Sequence, residues 1–200
     1  MRYTIFTTPV LKSFFFGISL FLLKILGWKA TGWLPREVKY VLIVAPHTSN
    51  WDLFYGIIVA FALKLDAHYI AKKELFRQPF SQLMKWSGGI PIDRLLSSHI
   101  VDQMISTFNE SKKFVLALTP EGTRHKTDGW KSGFYHIAVR AHVPIVLAFL
   151  DYASKTGGAG PLIYPTGDLE QDMSKIRNFY LTVKGKHPEN TSPVVIYSKS

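Results

Sequence analysis

The 200-residue chain carries 24 Lys+Arg against 14 Asp+Glu, a net charge of +10, with 47% hydrophobic residues and no cysteine. This length and apolar fraction suit one domain with a sizeable core and exclude a disordered chain. The missing cysteines exclude a disulfide framework, a thiolate nucleophile and a Cys-based metal site, while the charge favours an anionic partner: nucleic acid, anionic lipid or a phosphorylated substrate.

In chain order, the first feature is "SFFFGISLFLL", residues 13–23, which is uncharged between Lys12 and Lys24. A spanning helix needs about 20 apolar residues, so this stretch is too short, and no small-residue cleavage pattern follows it. It reads as a helix lying in or dipping into one leaflet, with Lys24, Trp28, Lys29 and Trp33 near the headgroups. A buried core helix is the alternative. Pro35 and Arg36 mark a boundary, which divides the chain into an apolar leader (1–35), a folded body (36–183) and a polar, basic tail (184–200) expected to be disordered.

Within the body, the β-branched apolar run 38–45 predicts a buried strand. Residues 51–64 predict a helix, capped by Ser49 or Asn50 and carrying Asp52 in its first turn. Residues 67–71 form a short strand candidate. A helix is expected over 74–86, interrupted or kinked at Pro79. "GGIPIDR", residues 88–94, reads as a turn and short strand, and 98–110 as an amphipathic helix. A strand over 114–118 ends at Pro120. A helix over 131–141 precedes a strand over 144–150. "SKTGGAGP", residues 154–161, reads as a flexible loop, and 169–178 as a short helix. Strands alternating with helices predict an α/β fold, a mixed sheet covered by helices. In such sheets sites form where strand ends feed loops into helices. His47 and Gly122 both directly follow apolar strands.

His47 and Asp52 are five positions apart, which on one helix would leave their side chains about 140° apart. They meet only if His47 lies in the loop and Asp52 reaches back from the first turn. A carboxylate on one ring nitrogen fixes the tautomer and makes the other nitrogen a better base. The chain has no GxSxG elbow and no cysteine, so no nucleophile for an enzyme-bound acyl group stands out. His47 is therefore read as the base for a substrate hydroxyl. In isolation, H-x4-D reads far more readily as two locally satisfied side chains. "TPEGTR", residues 119–124, offers a turn of backbone N–H groups with the Thr123 hydroxyl and the Arg124 guanidinium, which suits phosphate. Glu121 is placed to orient Arg124 or cap the turn. In "IPIDR", Arg94 follows a short apolar run with Asp93 as an adjacent partner. The remaining histidines show no metal-ligand spacing.

Taken in order, H-x4-D, G-x-I-P-I-D-R and P-E-G-T-R resemble the signature blocks of the PlsC-type glycerolipid acyltransferases, the family of 1-acylglycerol-3-phosphate acyltransferases. "AKKELFRQP" (71–79) and "KSGFYHIAVRAHVPIVLAF" (131–149) resemble further family segments. The likeness covers about 41–151, most of a typical domain body. Pro46 stands where the family often has asparagine, and Leu147 and Ala148 where a second proline is usual.

The resemblance implies that 36–183 is an acyltransferase domain behind a membrane-associating leader. It implies His47 as general base, Asp52 as its orienting partner, and Arg94, Glu121, Gly122, Thr123 and Arg124 as acceptor-binding residues. No cofactor is implied, because acyl-CoA or acyl-acyl carrier protein enters as the donor substrate. The implied partners are membrane lipid and a lysophospholipid acceptor, not nucleic acid, and the implied location is the cytoplasmic face of the inner membrane. The retained arginines favour 1-acylglycerol 3-phosphate. A different lysolipid acceptor, or a non-catalytic anionic-lipid-binding module, stays open.

Overall fold

The computed structural model describes residues 3–92 and 97–197. Its strands are β1 (Lys29–Thr31), β2 (Lys39–Val44), β3 (His68–Lys72), β4 (Gly89–Ile92), β5 (Phe114–Leu118), β6 (Ile145–Asp151) and β7 (Thr156–Ile163). Its α-helices are α1 (Leu11–Leu26), α2 (Trp51–Ala62), α3 (Ser81–Trp86), α4 (Ser97–Glu110), α5 (Gly133–Arg140) and α6 (Leu169–Tyr180). The strands form a seven-stranded sheet in the order β1-β7-β6-β2-β5-β3-β4. β6, β2, β5, β3 and β4 run parallel. β7 returns antiparallel to β6, and β1 lies parallel to β7 at the edge. This is the expected mixed α/β fold with helices on both faces.

Alternation along the central strands explains why their apolar runs are continuous. Val41, Ile43, Phe114, Leu116, Ile145 and Leu147 face one side and pack against Met104 and Phe108 of α4, Phe134 and Ile137 of α5, and Met173 and Ile176 of α6. Tyr40, Leu42, Val115, Val146 and Ala148 face the other and meet Ala60 of α2 and Leu65. Each fully buried Ile or Leu among them contributes about 1.5–3 kcal/mol.

The structure corrects three expectations and bears out a fourth. The glycine-rich stretch 154–161 is not a loop: β7 occupies most of it. Its glycines are there for close approach. A Cβ on Gly158 would lie 1.9 Å from the Thr31 carbonyl oxygen, and one on Gly157 would press on Leu150 and on Val59 of α2. The interruption expected at Pro79 is present: a 3-10 turn (Lys73–Phe76) and α3 stand on either side of it, because Pro79 leaves the backbone without a donor between them. Trp28 is not near a headgroup position. It is 5% exposed and stacked on Tyr55, with ring centroids 4.2 Å apart. The tail beyond Lys184 is held through residue 197. Its Ser192 is buried, and Val195 and Tyr197 bracket Trp130 with backbone bonds of 2.7 and 2.8 Å.

The leader contributes both a helix and an edge strand to this body. α1 ends at Gly27, whose φ of +70° makes the left-handed cap. The helix buries Ser19 and Leu23 while Phe14, Ile18, Leu20, Phe21 and Ile25 are exposed. On α2, Trp51, Leu53, Phe54 and Ile57 are exposed as well. No helix among the described residues is long and apolar enough to cross a membrane.

Candidate active site

β2, β5 and β6 are neighbours and parallel, so their C-terminal ends lie on one edge of the sheet and their outgoing loops converge. The loop after β2 carries His47. Asp52 sits in the first turn of α2 and reaches back, as its spacing required. The His47 Nδ1 lies 3.0 Å from Asp52 Oδ2. The same oxygen accepts the backbone N–H groups of Thr48 (2.8 Å) and Ser49 (2.9 Å). Asp52 Oδ1 accepts the hydroxyl of Tyr152, the residue that follows β6, at 2.7 Å. Burial opposes ionisation of this carboxyl, but the bonds from His47, Tyr152, Ser49 and Thr48 outweigh it and hold the group below the usual carboxylate range. A carboxylate acceptor requires the proton on Nδ1, which leaves Nε2 as a free base. The His47 side chain is 18% exposed, enough to meet a ligand. At the start of α2, Ser49 Oγ accepts the Trp51 N–H at 3.2 Å, while Asn50 makes no side-chain cap.

The loop after β5 is a tight turn, closed by Gly122 N–H to the Thr119 carbonyl at 3.1 Å. Gly122 has φ +69°, a conformation that favours glycine, and a Cβ there would touch Cε and Nζ of Lys131 at 3.1 Å. Arg124 is exposed and Thr123 half-buried beside it. Glu121 differs from expectation. It is 2% exposed and turned inward, its Oε2 accepting the His47 backbone N–H at 2.7 Å. The carboxylate therefore ties the turn to the histidine loop and is not presented to a ligand. Among the described residues its Oε1 has no hydrogen-bond partner. Burial, reinforced by the Asp52 charge, pushes this carboxyl up to about 7. Arg94 lies outside the described residues.

Residues 184–192 frame the same edge. The His187 N–H donates to Thr48 Oγ at 3.1 Å, and Gly185 sits so close to Thr48 that a Cβ would be 2.7 Å from that hydroxyl. Lys186 Nζ lies 4.8 Å from the centre of the Trp51 ring. Ser192 Oγ accepts the Thr127 N–H at 3.0 Å. Three participants escaped the sequence reading: Tyr152, the inward face of Glu121, and this returning segment. The strand-end rule that singled out His47 also applies to Tyr152, which directly follows β6.

A family described as Acyltransferase matches residues 34–148, more than half of the chain. The chain belongs to the acyltransferase family. Among its relatives, this family member is 34% identical over 116 residues to a 1-acyl-sn-glycerol-3-phosphate acyltransferase of Streptococcus pneumoniae, covering 56% of this chain and 42% of that one. A protein of the same description from Limnanthes douglasii is 31% identical over 115 residues, 54% of this chain and 40% of that one. The matches thus span less than half the length of these relatives. The crystal structure of the 1-acyl-sn-glycerophosphate acyltransferase PlsC from Thermotoga maritima superposes with a TM-score of 0.55 at 15% identity, covering 83% of this chain and 74% of that one. That likeness shows that the acyltransferase-family chain shares the PlsC fold.

Proposed function

We propose that this chain is an O-acyltransferase that moves a fatty acyl group from acyl-CoA or acyl-acyl carrier protein to the hydroxyl of a lysophospholipid. The preferred acceptor is 1-acylglycerol 3-phosphate, and the product is phosphatidic acid. The observation that carries the reading is His47, bound to Asp52 through Nδ1 at 3.0 Å and partly exposed beside an arginine-bearing turn. Nε2 takes the proton of the acceptor hydroxyl as its oxygen attacks the thioester carbonyl. The C–O bond forms, the C–S bond breaks, and the departing thiolate recovers the proton from the imidazolium. Asp52 stays ionised and stabilises that imidazolium. Arg124, with Arg94, holds the acceptor phosphate. Gly122 and Thr123 give that turn its shape and a further donor. Glu121 acts from beneath, by holding the His47 backbone.

The acceptor assignment is supported by the descriptions of the relatives and by the exposed Arg124. Membrane association is supported by the outward apolar residues of α1 and α2 and by the charge of +10. A helix with its apolar side outward suits an interfacial position, and basic residues favour the anionic cytoplasmic leaflet.

The test is an acyl-transfer assay on purified protein in liposomes with each donor, lysophosphatidic acid, glycerol 3-phosphate and other lysolipids, with His47→Ala as control. Product from lysophosphatidic acid that disappears in the variant supports the whole reading. Product only from another lysolipid keeps the mechanism and changes the acceptor. No product from any pair, with folded and liposome-bound protein, favours a lipid-binding module.

A further inference from the structure

Asp52 is buried, its side chain 4% exposed. A carboxylate in that position stays ionised only if both oxygens find donors. Oδ2 has three, from His47, Thr48 and Ser49. Oδ1 has one, the Tyr152 hydroxyl. Together with the donors on Oδ2, that bond fixes how the carboxylate is turned toward the imidazole. Tyr152 is itself held on three sides. Its ring stands edge-on to Trp28 at 4.9 Å and to Tyr55 at 5.7 Å. Its backbone N–H donates to the Lys184 carbonyl at 2.9 Å. A phenylalanine would satisfy all of these contacts. Only the hydroxyl requires tyrosine, and the hydroxyl points at Asp52.

We propose that Tyr152 is a positioning residue, which acts through Asp52 to aim His47 at the substrate hydroxyl and to keep the carboxylate charged while the imidazolium forms. This rests on the reading of His47 as the general base. Tyr152 lies beyond residues 34–148, the span matched by the Acyltransferase family. When His47 takes the acceptor proton, a positive ring sits 3.0 Å from Asp52. A proton passing on to the carboxylate would remove the charge that stabilises that ring. The Tyr152 bond is a fourth donor to the carboxylate, on the oxygen that the other three leave free, and it works against such a transfer. Without it, more of the charge bears on Oδ2 and on the imidazole beside it, which strengthens the hold on an imidazolium.

Tyr152→Phe is the test, because it retains the ring contacts. The expected result is a kcat about tenfold lower with KM within about twofold of wild type. The acid limb of the kcat profile should move to higher pH. A second measurement needs no substrate: an NMR pH titration of the His47 ring in both proteins should show the imidazole midpoint rising in the variant. Tyr152→Leu, which removes the ring too, should lower the thermal midpoint further while the kcat loss stays similar. Unchanged kcat and an unchanged His47 titration in Tyr152→Phe would overturn the proposal. So would a loss confined to thermal stability. If neither protein transfers acyl groups but the His47 titration moves, the positioning stands and the acyltransferase reading fails.

Discussion

Two buried aspartates of this protein are built alike and behave differently. Asp52 accepts a tyrosine hydroxyl, from Tyr152, and two backbone N–H groups. Asp172, fully buried in α6, accepts the hydroxyl of Tyr135 at 2.9 Å, the Thr166 backbone N–H at 2.7 Å and the Thr166 hydroxyl at 3.1 Å. For both, burial opposes ionisation and the hydrogen bonds overcome it, so both carboxyls lie below their ordinary range. The second cluster joins α6 and the loop before it to α5. Each has one further member: Lys175, 3.5 Å from Asp172, and beside Asp52 a histidine at a strand end with a nitrogen to spare. Burial and a tyrosine partner make a joint. An adjacent base that can reach solvent makes the joint a site.

The widest separation between the two clusters should come from deleting the histidine. His47→Ala is expected to lower kcat/KM about a thousandfold or more, with a thermal midpoint close to that of wild type. Asp172→Ala should do the reverse. It strands the buried Tyr135 hydroxyl, and a denaturant titration should show a loss of about 1–3 kcal/mol with kcat unchanged. If both variants lose activity equally in the folded state, the comparison fails.

A third carboxylate sharpens the contrast by running the opposite way with pH. Glu121 is raised from 4.5 to about 7, so between those values the folded state binds a proton that the unfolded chain does not. Stability therefore falls as pH rises through this window, by on the order of 3 kcal/mol at most. Asp52 and Asp172, being depressed, add stability above 3.8 that is lost as pH falls through their lower folded values. Unfolding titrations across pH should show both limbs, and Glu121→Gln should flatten the upper one only. The smallest effect belongs to Arg124, exposed and free of the buried network. Arg124→Ala should raise KM for a phosphate-bearing acceptor about tenfold, leave stability unchanged, and matter less for an acceptor with no phosphate monoester.

The legible part of this molecule was local. The run into β2 is β-branched and apolar, Pro46 ends it, and Asp52 falls where a first helical turn reaches back. Each of those cues lies within a dozen residues. The illegible parts depend on distance or on an unseen neighbour. Gly157 and Gly158 read as loop because glycine usually means freedom, whereas here the backbone of β1 and the side chain of Val59 fill the space a Cβ would need. Trp28 read as a headgroup residue because Tyr55 and Tyr152, which stack around it, are remote in sequence. Glu121 reads from its neighbours as orienting Arg124 or capping the turn, and only the family resemblance places it at the acceptor; the His47 N–H that it meets is 74 positions away in the chain. Tyr152 and the returning tail were missed for the same reason. Arg94 lies outside the described residues, and its part in phosphate binding rests on sequence alone.

The edge strand β1 carries a consequence for synthesis. Lys29 pairs with Thr156 and Thr31 with Gly158, so β1 must wait for β7 before it has a ladder to join. Domains assemble in the order in which the ribosome delivers them, and pairing between remote segments is slow. α1 does not wait with β1. Leu23 packs with Ile58 and Val59 of α2 and Phe15 stacks on Phe61, ring centroids 5.0 Å apart, so the helix meets its partner soon after it is made, while the strand that follows it stays unpaired until β7 is complete.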